Sequence, residues 1–197
     1  MTAALLIIDM QKAFFEDASL GKQQDSLVAA CNSAIADARE AGIAVYLIRT
    51  EHQRDKSTWT VSMLDDEQGF LFSGTEQAEF VDGLSAGGLP ELVKTRDSAF
   101  FGTDLLQRLR NLNVDTVVLA GVSTHNCVAQ TGADAYANNL RVVYAEEAVA
   151  STNDQYAQNV LGVLRDEYRQ QALGASGIRQ LFSKQSARQS PDQTPML

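Results

Sequence analysis

Residues 114–133 read VDTVVLAGVSTHNCVAQTGA. The first seven, VDTVVLA, are apolar and rich in β-branched side chains, as a strand covered on both faces requires. Gly121 breaks the run and a small-residue turn follows. Cys127 then opens a helix, with Val128, Thr131, Ala135 and Asn138 following at steps of three and four. A buried strand feeding a turn and a helix is the unit of a parallel α/β sheet, and the carboxyl ends of such strands are where these sheets gather chemistry. Unpaired backbone N–H groups and the positive end of the helix dipole surround Cys127. They favour thiolate over thiol, so Cys127 is expected to be a nucleophile.

The alternation extends in both directions. Residues 3–8 (AALLII) form a buried strand that ends at Asp9. Residues 26–41 form an amphipathic helix with Leu27, Cys31, Ile35 and Ala38 on its stripe and Gly42 as its stop. Cys31, on that stripe, reads as inert core. Residues 43–48 (IAVYLI) are a second strand, and residues 92–95 (LVKT) a short one interrupted by Lys94. Thr103 caps a helix over 104–112. Residues 140–145 are a strand, 153–172 a long helix, and 177–182 a closing strand or turn. Residues 49–88 are irregular, contain His52 and Trp59, and read as a lid or pocket wall.

The pattern predicts a three-layer α/β/α, Rossmann-like domain over residues 1–182, with about six mostly parallel strands. Residues 183–197 (SKQSARQSPDQTPML) read as a flexible C-terminal tail or an arm to another subunit. Asp9, Lys94 and Cys127 all fall at carboxyl strand ends, which share one edge in a parallel sheet. Taken alone, Asp9 also fits a loop residue capping the next turn, and Lys94 the exposed face of an edge strand.

Composition narrows the partners. A chain of 197 residues, 45% hydrophobic and 21% charged, suits one soluble domain. Sixteen basic against 25 acidic residues leave a charge of −9 with no basic cluster, which argues against nucleic acid. No apolar run approaches the roughly 20 residues of a membrane span. The chain enters a strand within a few residues, with no signal-peptide pattern. Two cysteines suit a reducing, cytoplasmic location rather than a disulfide framework. The first strand runs into DMQKAF rather than a Gly-x-Gly-x-x-Gly turn, which argues against a dinucleotide cofactor.

Three blocks carry a resemblance: LLIIDMQKAFF (5–15), VKTRDSAFFGTDL (93–105) and VVLAGVSTHNCVAQTGADAYANNLRVVYAEEAVAS (117–151). In this order they resemble the isochorismatase-like cysteine hydrolase superfamily, which includes nicotinamidases and N-carbamoylsarcosine, ureidoacrylate and maleamate amidohydrolases. The resemblance implies an Asp9–Lys94–Cys127 triad. It also implies a non-proline cis peptide at Val122–Ser123, which would turn the Ser123 N–H toward the pocket beside the Cys127 N–H as an oxyanion hole. Phe14 and Trp59 would wall the pocket, and the protein would be a homo-oligomer, dimer or tetramer. The implied reaction is cleavage of a small-molecule C–N (amide) bond through a thioester, without cofactor or metal.

Departures from the family sharpen this. Nicotinamidases carry a metal site resembling Asp-x-His-Pro-x-x-His, with a further His downstream. The matching stretch here is TEHQRDKSTW (50–59), and the chain has only two His. His52 is therefore read as a polar loop residue or substrate contact, and His125 as lining the pocket or the surface. Lys12–Ala13 replace the usual Asn-Asp. Isochorismatases cleave a vinyl ether without a thiol, and some have Gly where this chain has Cys127. Two alternatives stand beside the amidohydrolase: an ether hydrolase using Asp9 and Lys94 with Cys127 a bystander, and a non-catalytic small-molecule binder on the same fold.

Overall fold

The structure is a computed structural model and describes residues 2–189. Its six strands are β1 (Ala3–Ile8), β2 (Ala44–Thr50), β3 (Glu91–Lys94), β4 (Thr116–Gly121), β5 (Arg141–Val149) and β6 (Gln171–Leu173). They form one sheet in the order β3-β2-β1-β4-β5-β6, and every adjacent pair is parallel. The helices are α1 (Ala18–Gly21), α2 (Gln24–Glu40), α3 (Val61–Asp65), α4 (Leu105–Asn111), α5 (Ala129–Ala137), α6 (Asp154–Tyr168) and α7 (Ala175–Gln189).

The side-chain alternation of β1 explains the layers. Ala3, Leu5 and Ile7 point to one face, against Leu27, Cys31 and Ile35 of α2 and Ile178 and Phe182 of α7. Ala4, Leu6 and Ile8 point to the other, against Leu105 and Leu109 of α4, Ala135 of α5 and Leu164 of α6. Every residue of β1 and β4 is buried, so apart from Thr116 both strands are apolar rather than alternating. Each fully buried Leu or Ile contributes roughly 1.5–3 kcal/mol. The expected three-layer α/β architecture is present.

The carboxyl-terminal third differs from the sequence expectation. Residues 153–172 are not one helix. α6 stops at Tyr168, where Arg169 takes a left-handed conformation (φ 55°). The buried Gln170 then accepts from the Tyr144 hydroxyl (2.6 Å) and donates to the Gly132 carbonyl (3.2 Å), which draws residues 171–173 back beside β5. Residues 177–182 are helical rather than strand or turn, because Ile178 and Phe182 lie one turn apart and both bury in the core. α7 continues through residues 183–189, the first part of the expected tail; residues 190–197 lie outside the described residues. Among the described residues no helix is long and apolar enough to cross a membrane.

Candidate active site

The site forms where the carboxyl ends of β1, β2, β3 and β4 meet. Asp9 follows β1 directly, in a left-handed conformation (φ 52°) held by its N–H donating to the Ile48 carbonyl (2.8 Å). Lys94 ends β3, beside Thr50 of β2. Its side chain reaches inward: the ammonium donates to Thr50 Oγ1 at 2.7 Å and to Cys127 Sγ at 3.5 Å, and forms an ion pair with Asp9 Oδ2 at 2.8 Å. The Thr50 hydroxyl passes the chain on, donating to Asp9 Oδ1 (3.0 Å). Lys94 is therefore not on an exposed edge face, and Asp9 is not a loop cap; both side chains are wholly buried.

The turn that delivers Cys127 depends on Gly121 (φ 109°), where an added Cβ would strike the Ile8 carbonyl oxygen. The Val122–Ser123 peptide is cis. Thr124 then ties the turn to the end of β5, its N–H and hydroxyl both donating to the Ala150 carbonyl at 2.9 Å. Cys127 sits in a single π-type turn, Thr124–Val128, ahead of α5.

The electrostatics of Cys127 run opposite to the sequence expectation. Burial pushes its thiol well above the ordinary range and the adjacent Asp9 charge adds to this, against the opposing pull of Lys94. The helix start does not dominate because Cys127 is buried, 7% exposed, and has carboxylates on two sides. Burial pulls Lys94 down, but Asp9 and then Cys127 more than reverse that, so it remains an ammonium. The resting arrangement is a thiol beside a carboxylate–ammonium pair.

Cys127 and Thr50 open onto a cavity of about 220 Å³, with Asp9 and Lys94 behind them. Phe14, His52 and Phe70 form its aromatic wall, with Phe70 edge-on to Phe14 at 6.3 Å and 6.2 Å from His52. His52 Nδ1 donates to the Thr58 carbonyl (2.9 Å), which leaves Nε2 as the unprotonated atom of a neutral ring. Burial lowers its pKa despite that bond, helped by the charges of Arg96 and Lys94. Ser123 also lines the cavity.

Two expected pocket residues lie elsewhere. Trp59 does not wall the cavity; its Nε1–H donates to the Gln53 carbonyl (2.8 Å) and its ring packs on Phe72, so it pins its own loop. His125 does not line it either; its Nδ1 is 2.6 Å from Ser151 Oγ and its ring meets Tyr156 edge-on at 5.6 Å.

The structure adds Thr50, Phe70, Arg96 and Asp97. Arg96 clamps the loop above the cavity by donating to the carbonyls of Thr58 (2.8 Å), Thr95 (2.6 Å) and Trp59 (3.3 Å). Asp97 Oδ1 accepts from the Cys127 thiol at 3.8 Å, and its Oδ2 accepts from Gln130 Nε2 at 2.7 Å. Both line the cavity and a more open vestibule of about 390 Å³ outside it. The signal for Arg96 and Asp97 was their place two and three residues after Lys94, although Arg-Asp in a turn reads as ordinary loop.

The nicotinamidase-type metal site does not fit these residues. Glu51 pairs with Arg49 (3.1 Å), the Nδ1 of His52 is taken by Thr58, and Asp55 caps Ser57. Among the described residues no cluster of three or more His, Cys, Asp or Glu is placed to hold a metal.

A family model described as the isochorismatase domain matches residues 3–175. A probable inactive nicotinamidase of Arabidopsis thaliana is 35% identical over 169 residues, covering 80% of this chain and 86% of that protein. The crystal structure of an isochorismatase family protein from Desulfovibrio vulgaris superposes with a TM-score of 0.79 at 30% identity, covering 92% of this chain and 98% of that one. N-carbamoylsarcosine amidase from Thermoplasma acidophilum superposes with a TM-score of 0.76 at 27% identity, covering 89% and 97%.

Proposed function

This chain belongs to the isochorismatase family of hydrolases, and we propose that it is a cysteine hydrolase that cleaves a small-molecule amide C–N bond through a thioester. Since one relative is named a probable inactive nicotinamidase, family membership alone does not carry an amidase reading. The observation that carries it is the convergence on Lys94, whose ammonium lies 2.8 Å from the Asp9 carboxylate and 3.5 Å from the Cys127 sulfur. The ether-hydrolase alternative uses Asp9 and Lys94 but has no need of a sulfur within 3.5 Å of that ammonium.

In the proposed reaction, Asp9 takes the thiol proton and the Cys127 sulfur attacks the amide carbon. The carbonyl oxygen becomes an oxyanion that the Ser123 and Cys127 N–H groups meet. The C–N bond breaks as Asp9 returns its proton to the nitrogen, and ammonia or an amine leaves. A thioester remains on Cys127. Water then gives a proton to Asp9 and adds as hydroxide; the C–S bond breaks, a carboxylic acid departs, and Asp9 reprotonates the sulfur. Lys94 stays charged throughout and pairs with the Asp9 carboxylate between steps. No step uses a metal.

The 220 Å³ cavity and its aromatic wall suit a small, flat acyl group. The homo-oligomer implied by the resemblance belongs to this proposal, and light scattering on the purified chain reads it. The direct test is Cys127→Ala assayed on a panel of small amides by ammonia release, with mass spectrometry of wild type quenched during turnover. The expected results are loss of hydrolysis with an unchanged fold, and an acyl adduct on Cys127. Near-wild-type turnover by Cys127→Ala sinks the proposal and returns the ether hydrolase to first place.

A further inference from the structure

Asp97 is a carboxylate beside the nucleophile that the proposed reaction does not use. Its Oδ2 is occupied by Gln130 Nε2 at 2.7 Å, which fixes the carboxylate plane. Oδ1 is left facing Cys127 Sγ at 3.8 Å, and a thiol is a weak donor for a full negative charge. No cation among the described residues forms an ion pair with Asp97. The nearest candidate by sequence, Arg96, spends its guanidinium on three backbone carbonyls.

We infer that Asp97 is the specificity-determining residue of this site, selecting amides that carry a cationic or strongly hydrogen-bond-donating nitrogen on the substituent beside the scissile carbonyl. The inference rests on the cysteine hydrolase reading. An acyl carbon bonded to Sγ puts its neighbouring atoms within hydrogen-bond reach of Oδ1, so a donor there completes the carboxylate. A carboxylate on the substrate at the same place meets like charge in a partly desolvated site.

The vestibule extends the same preference. Asp134 adds a second negative charge to a lining whose one cation among the described residues, Arg96, is bonded to backbone carbonyls, and Phe101, 64% exposed, adds an aromatic ring. Substrate binding then has a second effect. Asp97 is among the charges that oppose ionisation of Cys127, so a substrate cation paired with it removes an obstacle to the thiolate at the moment of attack.

The test measures the rate at which Cys127 is labelled by three methanethiosulfonates, aminoethyl (cationic), propyl (neutral) and sulfonatoethyl (anionic), each rate divided by that reagent's rate with a small free thiol. Each forms a mixed disulfide with loss of methanesulfinate, and buried Cys31 is the internal control. Wild type should react at least about tenfold faster with the cationic than with the anionic reagent, with the neutral one between. In Asp97→Asn that ratio should collapse toward one. An anionic reagent that matches or beats the cationic one in wild type overturns the inference, as does a cation preference that survives Asp97→Asn. The wild-type order is readable even if the variant fails to fold. Labelling requires no turnover, so this result is independent of whether the chain hydrolyses amides.

Discussion

The Nζ of Lys94 lies 2.8 Å from Oδ2 of Asp9, and neither side chain reaches solvent. Two charges buried together are stable only as a pair. Lys94→Met leaves Asp9 facing a hydrocarbon chain with only the Thr50 hydroxyl for company. It should destabilise the protein by about 3–5 kcal/mol, read as a shift in the urea midpoint. Asp9→Asn with Lys94→Met removes both charges and should recover much of that loss. A midpoint unmoved by Lys94→Met alone would mean that the pair is not buried.

The same geometry predicts opposite effects of Asp9→Asn on two readouts. Burial holds the Cys127 thiol up, the Asp9 charge adds to this, and Lys94 pulls it down. Removing the Asp9 charge leaves the pull of Lys94 opposed only by burial and Asp97, so the thiol pKa drops and iodoacetamide labels Cys127 faster. Turnover should fall by at least about 100-fold, because the base and acid of both half-reactions is gone. Labelling and turnover falling together would show that the sulfur depends on Asp9 for its deprotonation, and that losing the Asp9 charge does not free the thiolate.

How much of this was legible in the sequence depends on distance along the chain. β1 and β4 announce themselves as unbroken apolar runs, and that pattern alone puts Asp9 and Cys127 at one sheet edge. β6 was hidden because its three residues have no period of their own; Gln170, bonded to Tyr144 and Gly132, ends the helix before it, and no local signal marks a buried glutamine. Resemblance supplied the Val122–Ser123 cis peptide, which no side-chain pattern encodes. A large aromatic in a long loop serves either as an anchor or as a wall; the resemblance points Trp59 to the wall, and the Gln53 carbonyl decides for anchor. The thiolate expectation failed for a related reason. Helix position is local and readable, whereas burial and the carboxylates of Asp9 and Asp97 are long-range.

Cys31 gives a pH prediction away from the site. Burial pushes its thiol up to about 12. The unfolded chain has it near 8.5, so the folded pKa is the higher one. The contribution to stability is complete below the unfolded value and is lost as pH climbs from there toward the folded value, by about 1.4 kcal/mol per pH unit. Cys31→Ala removes this slope and opens a small cavity in its place. The variant should therefore be clearly less stable than wild type at about pH 8, with the gap closing by about pH 10. A gap that stays constant in urea unfolding would mean that the Cys31 thiol ionises as readily in the folded state.

Gln11 is the least conspicuous residue of the DMQKAF block and one of its most constrained. Its side chain is wholly buried and bonds only to backbone: Nε2 donates to the carbonyls of Thr50 and Ala78 at 2.9 Å each, and Oε1 accepts from the Thr50 N–H at 2.8 Å. It thereby ties the end of β2 to the 76–79 segment and sets the position of Thr50, whose hydroxyl links Lys94 to Asp9. Gln11→Leu keeps the bulk but drops all three bonds, at about 1–3 kcal/mol for each backbone group left unpaired. Gln11→Glu keeps the shape but turns a carboxylate oxygen toward two carbonyls, and should be worse at neutral pH. The introduced carboxyl is neutral below its unfolded pKa of about 4.3 and can then donate to one of those carbonyls. Its excess penalty over wild type should therefore fade as pH is lowered toward that value, whereas the penalty of Gln11→Leu should not change. Parallel pH profiles for the two variants in urea unfolding would show that the Gln11 amide does not hold β2 to the 76–79 segment.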